Sequence, residues 1–286
     1  MGPADLIVEL PSGALDAVFL EGYEGARRIM GVSIADIYDE YVAHRYDEDP
    51  FGIIRTSGRI ALEQAARHVS EDPEVLDLGM GTGETLRQVR HRLQAAKLRG
   101  VDISPRMVEL ARLKLPEARL VCGDAVTAAR RTEPRSIDLA MTHFLLNYVE
   151  LDALTKGIAR ALKPDGLWSI VTTTAESFRH MQRLALRIVD EATLRAQMSV
   201  PRSPLHLAAE LRAQRFELME VTELEQPIEL PDTEALLGFA LGAGWFACDL
   251  LASLARSGLD PFAEWLEDIF PLRDVARVCI CVARKI

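Results

Sequence analysis

The stretch from Val75 to Leu86, Val-Leu-Asp-Leu-Gly-Met-Gly-Thr-Gly-Glu-Thr-Leu, constrains the fold more than any other part of the chain. Its first residues are mostly apolar, as in a buried strand, and an apolar pattern at helical spacing follows. Between them lie Gly79, Gly81 and Gly83, which allow a sharp turn and the close approach of a ligand to the backbone. This order predicts an open α/β sheet that binds a nucleotide-like ligand at the turn.

The spacing of the glycines bears on which ligand this is. A dinucleotide fingerprint requires a third glycine at position 84, and that residue is Glu84. Asp77 and Glu84 would repel a pyrophosphate, whereas a cationic sulfonium ligand with an amino group suits them. The stretch resembles the first motif of the class I methyltransferases that use S-adenosylmethionine (SAM).

Later stretches extend the resemblance in the order expected for this family. They are a short strand ending in Asp102, a third strand with its turn and a fourth strand, at 98–102, 120–125 and 137–144. A Lys-Pro-Asp-Gly turn within 162–166 then leads into a fifth strand from Leu167 to Thr173. Ser104 and Pro105 open a helix after the second strand, as N-cap and first helical residue. Each motif alone is weakly specific, but five in order over about 100 residues make a strong signal.

The resemblance implies SAM as the cofactor and S-adenosylhomocysteine as its product. By that resemblance Asp77, Gly79, Gly81 and Gly83 hold the methionine end, Asp102 holds the ribose hydroxyls, Asp124 and Ala125 hold the adenine, and Ile103 and Thr142 complete the cofactor site. Each acid also has a plainer interpretation. Asp77 can interact with the dipole of the following helix, Asp102 can cap the next turn, and Asp124 can form an Asx-turn.

The predicted fold is a Rossmann-like, seven-stranded, mostly parallel sheet with helices on both faces, an N-terminal helical lid and helical inserts. We expect an arm over 1–72 and a SAM-binding core over 73–286. The inserts are predicted at about 176–202 and 233–270. A sixth strand is predicted from Phe216 to Leu224, and a closing strand, typically antiparallel in this family, from Arg277 to Ala283.

The arm concentrates tyrosine and negative charge. Residues 1–72 contain 14 acids and 6 bases, a net charge of −8, and we expect helices over 14–30, 33–46 and 53–69. Tyr38, Tyr41 and Tyr46 are candidate contacts to the sulfonium or acceptor. The hypothesis is a lid that closes over the ligands. The alternatives are a permanently packed helix pair or a dimer contact.

The acceptor site is predicted beyond the fourth strand. His143 is the candidate general base, and the alternative is that it only lines the pocket. Phe144, Tyr148 and Trp245 are further candidate substrate contacts. The Asn/Asp-Pro-Pro-Tyr motif of adenine, cytosine and glutamine-amide methyltransferases is absent, because residues 142–145 read Thr-His-Phe-Leu. The six histidines show no zinc-type spacing, so no metal is expected.

Composition narrows the function classes. A net charge of −10 argues against a nucleic-acid partner, since phosphate binding requires a basic surface. Neither a membrane span nor a signal peptide is recognisable, and we expect a reduced, cytoplasmic protein. The sequence therefore predicts a methyltransferase with a small-molecule acceptor, an aromatic or secondary metabolite, and leaves a homodimer and oxygen, nitrogen or carbon methylation open. A protein methyltransferase and a non-catalytic SAM-binding scaffold are the alternatives.

Overall fold

A computed structural model describes residues 34–186, 203–232, 235–236, 239 and 269–286 of the chain. These residues form two compact units. One unit contains the described residues within 47–177, 203–226 and 276–286, and the other contains those within 34–46, 178–186 and 227–275. The predicted helix over 14–30 and most of both predicted inserts lie outside the described residues. The division at residue 72 stays a prediction.

The described residues contain the predicted seven-stranded sheet. Its strands are β1 Glu74–Leu78, β2 Lys97–Asp102, β3 Arg119–Cys122, β4 Ile137–His143, β5 Leu162–Thr173, β6 Phe216–Leu230 and β7 Leu272–Lys285. The strand order is β3-β2-β1-β4-β5-β7-β6. Strands β1 to β5 pair in parallel, and β7 is antiparallel to β5. The strand order reverses between β1 and β4: β2 and β3 follow β1 on one side, and β4 and β5 lie on the other. Open α/β sheets form a ligand crevice at such a point.

Three strands are longer than predicted. Strand β5 begins at Leu162 rather than Leu167, so the predicted turn residues lie within it. Strand β6 ends at Leu230 rather than Leu224, because the alternation of buried and exposed residues continues beyond the predicted end. Strand β7 begins at Leu272 and ends at Lys285, rather than spanning 277–283. Arg284 pairs with Glu217 at 2.6 Å and Arg277 pairs with Glu225 at 2.9 Å, so β6 runs antiparallel to β7.

Seven helices of more than one turn lie among the described residues: α1 Ile53–Ala66, α2 Glu84–Arg92, α3 Pro105–Lys114, α4 Ala125–Arg131, α5 Leu151–Ala161, α6 Arg179–Ala185 and α7 Pro204–Ala213. Ser104 caps α3 by accepting the Met107 N–H at 3.0 Å, as the sequence predicts. Ser203 caps α7 in the same way, accepting the His206 N–H at 3.2 Å. In both helices a proline at the first position removes an N–H that would have no partner.

The predicted continuous helix over 33–46 is wrong. Residues Ile34–Ile37 form one α-helical turn, Tyr38–Val42 form a π-helical turn, and Tyr46–Glu48 form a 3₁₀ turn. The backbone N–H of Ala43 donates to the Tyr38 carbonyl at 2.9 Å, five residues back, which is the π-type bond. The apolar spacing that predicted one helix is thus accommodated by a segment whose hydrogen-bond pattern changes twice.

Helices cover both faces of the sheet. One apolar cluster joins alternate residues of the strands, such as Leu76 and Ile170, to α4, α5 and α7. The second joins the intervening residues, such as Val75 and Met141, to α1, α2 and α3. Successive strand side chains point to opposite faces, so a sheet buried on both sides reads as a continuous apolar run.

The indole of Trp168 is fully buried on the first of these faces. Its Nε1–H donates to the hydroxyl of Thr142 at 2.9 Å, and its ring packs edge-on against Phe216 with centroids 5.4 Å apart. A buried indole N–H needs an acceptor, since leaving it unpaired costs about 1–3 kcal/mol. Thr142, on the adjacent strand, supplies that acceptor.

Helices α4 and α5 approach closely at Gly157, which gives a test of the packing. A Cβ at this position would lie 2.8 Å from Ala129 Cβ and 2.9 Å from its backbone carbonyl carbon. Gly157→Ala should therefore lower the free energy of unfolding by roughly 1–3 kcal/mol, although alanine is the better helix former. Urea unfolding measures the change. Lys156→Ala, at an exposed position of the same helix, is the control, and a more stable Gly157→Ala variant would contradict the packing.

Candidate functional site

The glycine turn after β1 is held by backbone and carboxylate hydrogen bonds. The N–H groups of Gly79 and Met80 both donate to the Val101 carbonyl, at 2.8 and 3.0 Å. The Gly81 N–H donates to Asp102 Oδ2 at 2.8 Å. Gly81 and Gly83 adopt φ angles of 56° and 78°, which are strained for other residues. The turn is thus fastened to the carboxyl end of β2.

Asp102 also organises the turn that follows its own strand. Its Oδ1 accepts the Ser104 N–H at 3.0 Å, and the side chain is only 8% exposed. One carboxylate therefore joins the loops after β1 and β2. The plainer interpretation of Asp102, a cap of the next turn, describes only the contact with Ser104.

Asp77 is buried at the end of β1, with 1% of the residue exposed. Burial raises the pKa of its carboxyl to about 8, and the nearby charge of Asp102 adds to the rise. Its Oδ1 has no hydrogen-bond partner among the described residues. A buried carboxyl oxygen without a partner is rare. A cationic group of a ligand placed beside it would lower its pKa and stabilise the charged carboxylate.

The predicted adenine side lies at the ends of β2 and β3. Ile103 is 46% exposed, which leaves an apolar surface next to Asp102. Asp124 caps α4 by accepting the Thr127 N–H at 2.7 Å, and hydrogen bonding from Thr127 lowers the pKa of its carboxyl. Ala125 is buried at the first position of that helix. Both the capping role and the predicted ligand-binding role fit the exposed carboxylate of Asp124.

One group of residues at the turn was missed by the sequence reasoning. Thr82, in the turn, donates its hydroxyl to Asp47 Oδ1 at 2.5 Å. Lys114 of α3 contacts both, with Nζ 2.6 Å from Asp47 Oδ2 and 2.9 Å from Thr82 Oγ1. The residues are 32 to 67 positions apart in the chain, so no local pattern signals the contact. These contacts hold Thr82, and with it the glycine turn, in addition to the contact that Asp102 makes with Gly81.

His143 ends β4 on the same face of the sheet as Asp77, because Asp77 pairs with Met141 two residues earlier. Its Nε2 lies 3.0 Å from the Ser169 hydroxyl, and its buried Nδ1 has no partner among the described residues. Burial lowers the pKa of the imidazole to about 4. The ring is therefore neutral near pH 7.

Three buried side-chain atoms have no hydrogen-bond partner among the described residues. Two of them, on Asp77 and His143, lie at the carboxyl ends of the adjacent strands β1 and β4. The third is Oε1 of Gln64 in α1. Thr142, another predicted cofactor contact, directly precedes His143, and its side chain points to the opposite face of the sheet. Its hydroxyl accepts the Trp168 indole N–H on the opposite face, so only its backbone is available for the predicted role.

The loop after β4 begins with a strained residue. Phe144 has φ 60°, in the left-handed region that non-glycine residues seldom adopt, and its N–H donates to the Val171 carbonyl at 2.6 Å. Asn147 follows, and its Oδ1 accepts the hydroxyls of Thr173 and Thr172 at 2.9 and 3.3 Å. Tyr148 is half-buried in the same loop. Strain of this kind clusters at functional sites.

Of the remaining predicted substrate contacts, Tyr38 and Tyr46 belong to the other compact unit. Tyr38 and Tyr46 pack against each other with ring centroids 6.5 Å apart. The side chain of Tyr41 and all of Trp245 lie outside the described residues. The roles of these tyrosines and of Trp245 stay predictions.

Comparison with known proteins relates the chain to methyltransferases. Residues 75–166 match the family described as a methyltransferase domain. A trans-aconitate 2-methyltransferase of Escherichia fergusonii is 24% identical over 233 residues, which cover 79% of this chain and 90% of the relative.

Two solved structures share the fold. The YcgJ protein of Bacillus subtilis aligns with a TM-score of 0.56 and 17% identity, over 81% of this chain and 98% of that one. The geranyl diphosphate C-methyltransferase of Streptomyces coelicolor, solved with Mg²⁺, geranyl diphosphate and S-adenosyl-L-homocysteine, aligns with a TM-score of 0.52 and 13% identity, over 81% and 77%.

The described residues contain no group of three or more histidine, cysteine or acidic side chains placed to hold a metal ion. No helix in the described ranges has the length and apolar composition needed to cross a bilayer.

The buried carboxyl of Asp77 makes stability depend on pH. Between the unfolded pKa of 3.8 and the folded pKa of about 8, the folded protein binds more protons at this site, so its contribution to stability falls as pH rises. Wild-type stability relative to Asp77→Asn should therefore fall by up to about 1.4 kcal/mol per pH unit between pH 5 and 7. Urea unfolding of both proteins across that range measures the difference, and parallel profiles would show that Asp77 is charged when folded.

Proposed function

We propose, on the premise that this chain is a class I methyltransferase that uses SAM, that it transfers the methyl group to a small molecule. The observation that carries the cofactor assignment is the unpartnered, buried Asp77 oxygen beside the glycine turn. When bound, SAM supplies an electrophilic methyl carbon with a good leaving group, so the protein mainly orients the reactants and excludes water.

Residues at the ends of two strands would bind different parts of the cofactor. Asp77 and the N–H groups of the glycine turn would hold the methionine end, where a cation is favourable. Asp102, already fixed by Gly81 and Ser104, would hold the ribose hydroxyls. The exposed side chain of Ile103 would pack on the adenine, with Asp124 and Ala125 at its edge.

The small-molecule acceptor is supported by the relative whose name states trans-aconitate as its substrate, since 90% of that relative is matched. An aromatic or secondary metabolite acceptor, a cytoplasmic location and a homodimer belong to the same proposal. They rest on the sequence arguments alone.

His143 is proposed to act on the acceptor. In the tautomer that places the proton on Nε2, the ring donates to Ser169 and leaves a lone pair on the unpartnered Nδ1. A pKa of about 4 keeps this lone pair available at neutral pH but makes protonation costly, by about 4 kcal/mol at pH 7. His143 is therefore a weak base, best matched to an acceptor whose own proton is acidic.

The proposed acceptor class is tested by following the methyl group. The full chain is incubated with radiolabelled SAM and a fractionated cell extract, and label is measured separately in small molecules and in precipitated protein. Label in the small-molecule fraction supports the proposal. Label in protein alone overturns it in favour of a protein methyltransferase, and no transfer despite SAM binding overturns it in favour of a scaffold.

Asp102→Ala should weaken SAM binding at least tenfold, because two hydrogen bonds to a charged acceptor are lost, each worth roughly 1.5–3 kcal/mol. Calorimetry measures the affinity, and NAD should not bind. Asp152→Ala, an exposed acid of α5, is the control and should bind SAM normally. Tight NAD binding, or unchanged SAM affinity in Asp102→Ala, would refute the ribose role.

His143→Gln should lower kcat about 10²–10⁴-fold with little change in SAM affinity, if the imidazole accepts the proton. Because its pKa is about 4, the wild-type rate should be insensitive to this group between pH 6 and 8, and should fall only as pH drops below about 5. His206→Gln, on the exposed face of α7, is the control. Equal losses of SAM binding and turnover would assign His143 to pocket lining.

A further inference from the structure

The hydroxyl of Thr82, in the glycine turn, both donates and accepts a hydrogen bond. It donates to Asp47 Oδ1 at 2.5 Å and accepts from Lys114 Nζ at 2.9 Å. The same Nζ lies 2.6 Å from Asp47 Oδ2, so the three side chains form a closed triangle. Thr82 is fully buried, whereas the side chains of Lys114 and Asp47 are 23% and 49% exposed. Two side chains nearer the surface therefore fix the rotamer of a buried one.

The backbone of the same turn shows why the orientation of Thr82 matters. The other N–H groups of residues 79–83 all donate to protein oxygens: those of Gly79, Met80, Gly81 and Gly83. Within the described part of the chain, the Thr82 N–H has no such partner, and it is buried with the rest of that residue. Buried N–H groups without a partner are rare in proteins. This N–H is therefore available to an oxygen of a ligand.

The glycines on either side of Thr82 make its side-chain contacts more important. Gly81 and Gly83 have φ angles of 56° and 78°, and glycine permits many backbone conformations besides these. The turn thus needs contacts that select one of them. The triangle supplies such contacts at the residue between the two glycines.

Asp47 is itself held in place by the chain that follows it. Asp49, two residues later, accepts the N–H groups of Ile54 and Arg55 at 3.2 and 2.8 Å, at the start of α1. The segment that contains Asp47 is therefore attached to a helix that packs on the sheet. Asp47 approaches Thr82 from a fixed support.

Lys114 is the last residue of α3, and this helix also contacts the turn directly. A Cβ on Gly83 would lie 3.0 Å from Ala111 Cβ. Lys114 is three residues farther along α3, on the same helix face. Its Nζ also lies 3.9 Å from Glu84 Oε2, at the start of α2. Helix α3 thus supports the turn through packing at Gly83 and through hydrogen bonds at Thr82.

We propose that Asp47 and Lys114 are positioning residues for the cofactor. Acting through the Thr82 hydroxyl, they set the direction of the Thr82 N–H, which donates to the carboxylate in the amino-acid part of SAM. A carboxylate is the matching acceptor because the turn leads into α2, and a helix N-terminus favours negative charge. This inference rests on the proposed function, since it takes the glycine turn as the site of the methionine end.

The test compares two ligands that differ in the amino-acid part of the cofactor. S-adenosylhomocysteine has this part, and methylthioadenosine has the same adenosine and thioether sulfur without it. Calorimetry of the full chain measures the affinity for each. Thr82→Val, which keeps the shape of the side chain, should weaken S-adenosylhomocysteine binding about threefold to tenfold, the range expected for one hydrogen bond. The affinity for methylthioadenosine should not change.

Asp47→Ala and Lys114→Met should each weaken S-adenosylhomocysteine binding in the same selective way. Combining either with Thr82→Val should add little, because all three changes act through one hydroxyl. Thr82→Ser keeps the hydroxyl and should retain most of the affinity. Glu109→Gln is the matched control, since it breaks an exposed ion pair with Arg106 in the same helix α3, and it should bind both ligands as the wild type does.

Equal weakening of both ligands would show that the triangle only supports the fold of the site, and unchanged S-adenosylhomocysteine affinity would also overturn the proposal. If thermal unfolding shows that Thr82→Val does not fold, Asp47→Ala and Lys114→Met decide. A wild-type chain that binds neither ligand would overturn the proposed function itself. Loss of both ligands in Asp102→Ala, with no effect of Thr82→Val, would leave the methyltransferase assignment standing, so the two proposals fail separately.

Discussion

The bidentate role of Asp102 is the contact on which the candidate site depends. One carboxylate receives the N–H of Gly81 from the preceding loop and the N–H of Ser104 from its own loop. Both loops start at the carboxyl ends of parallel strands, so this one carboxylate connects them. The ligand-binding edge of the sheet is therefore organised by a charge that is itself only 8% exposed.

Much of the fold could be predicted because its signals are local. Apolar strands, the glycine turn and the Ser-Pro helix starts depend on neighbours in sequence, and the structure contains them all, although β5, β6 and β7 are longer than predicted. The broken helix after residue 33 could not be predicted. Apolar spacing near 3.6 residues is compatible with α-, π- and 3₁₀-helical turns, so it does not choose among them.

The chemistry of the site was harder to predict than its location. Asp77, Asp102 and His143 were identified from their places at the ends of strands. The raised pKa of Asp77 and the lowered pKa of His143 follow from burial, which sequence does not give. The contacts of Asp47 with Thr82 and of His143 with Ser169 join residues 35 and 26 positions apart. Such pairs are set by how the elements pack, and a single sequence carries no direct record of them.

The acidic character of β6 has a consequence for how molecules of this protein meet in solution. It is an edge strand of the sheet, and an edge strand is a template on which a second molecule can add its own strand. Its exposed face carries Glu217, Glu223 and Glu225, and Pro227 lacks the N–H that continued pairing would need. Glu217 and Glu225 are held in ion pairs with Arg284 and Arg277. Charged side chains and a proline on an edge strand both disfavour the addition of a second strand. Strand β6 therefore forms the edge of the sheet and also disfavours aggregation through that edge.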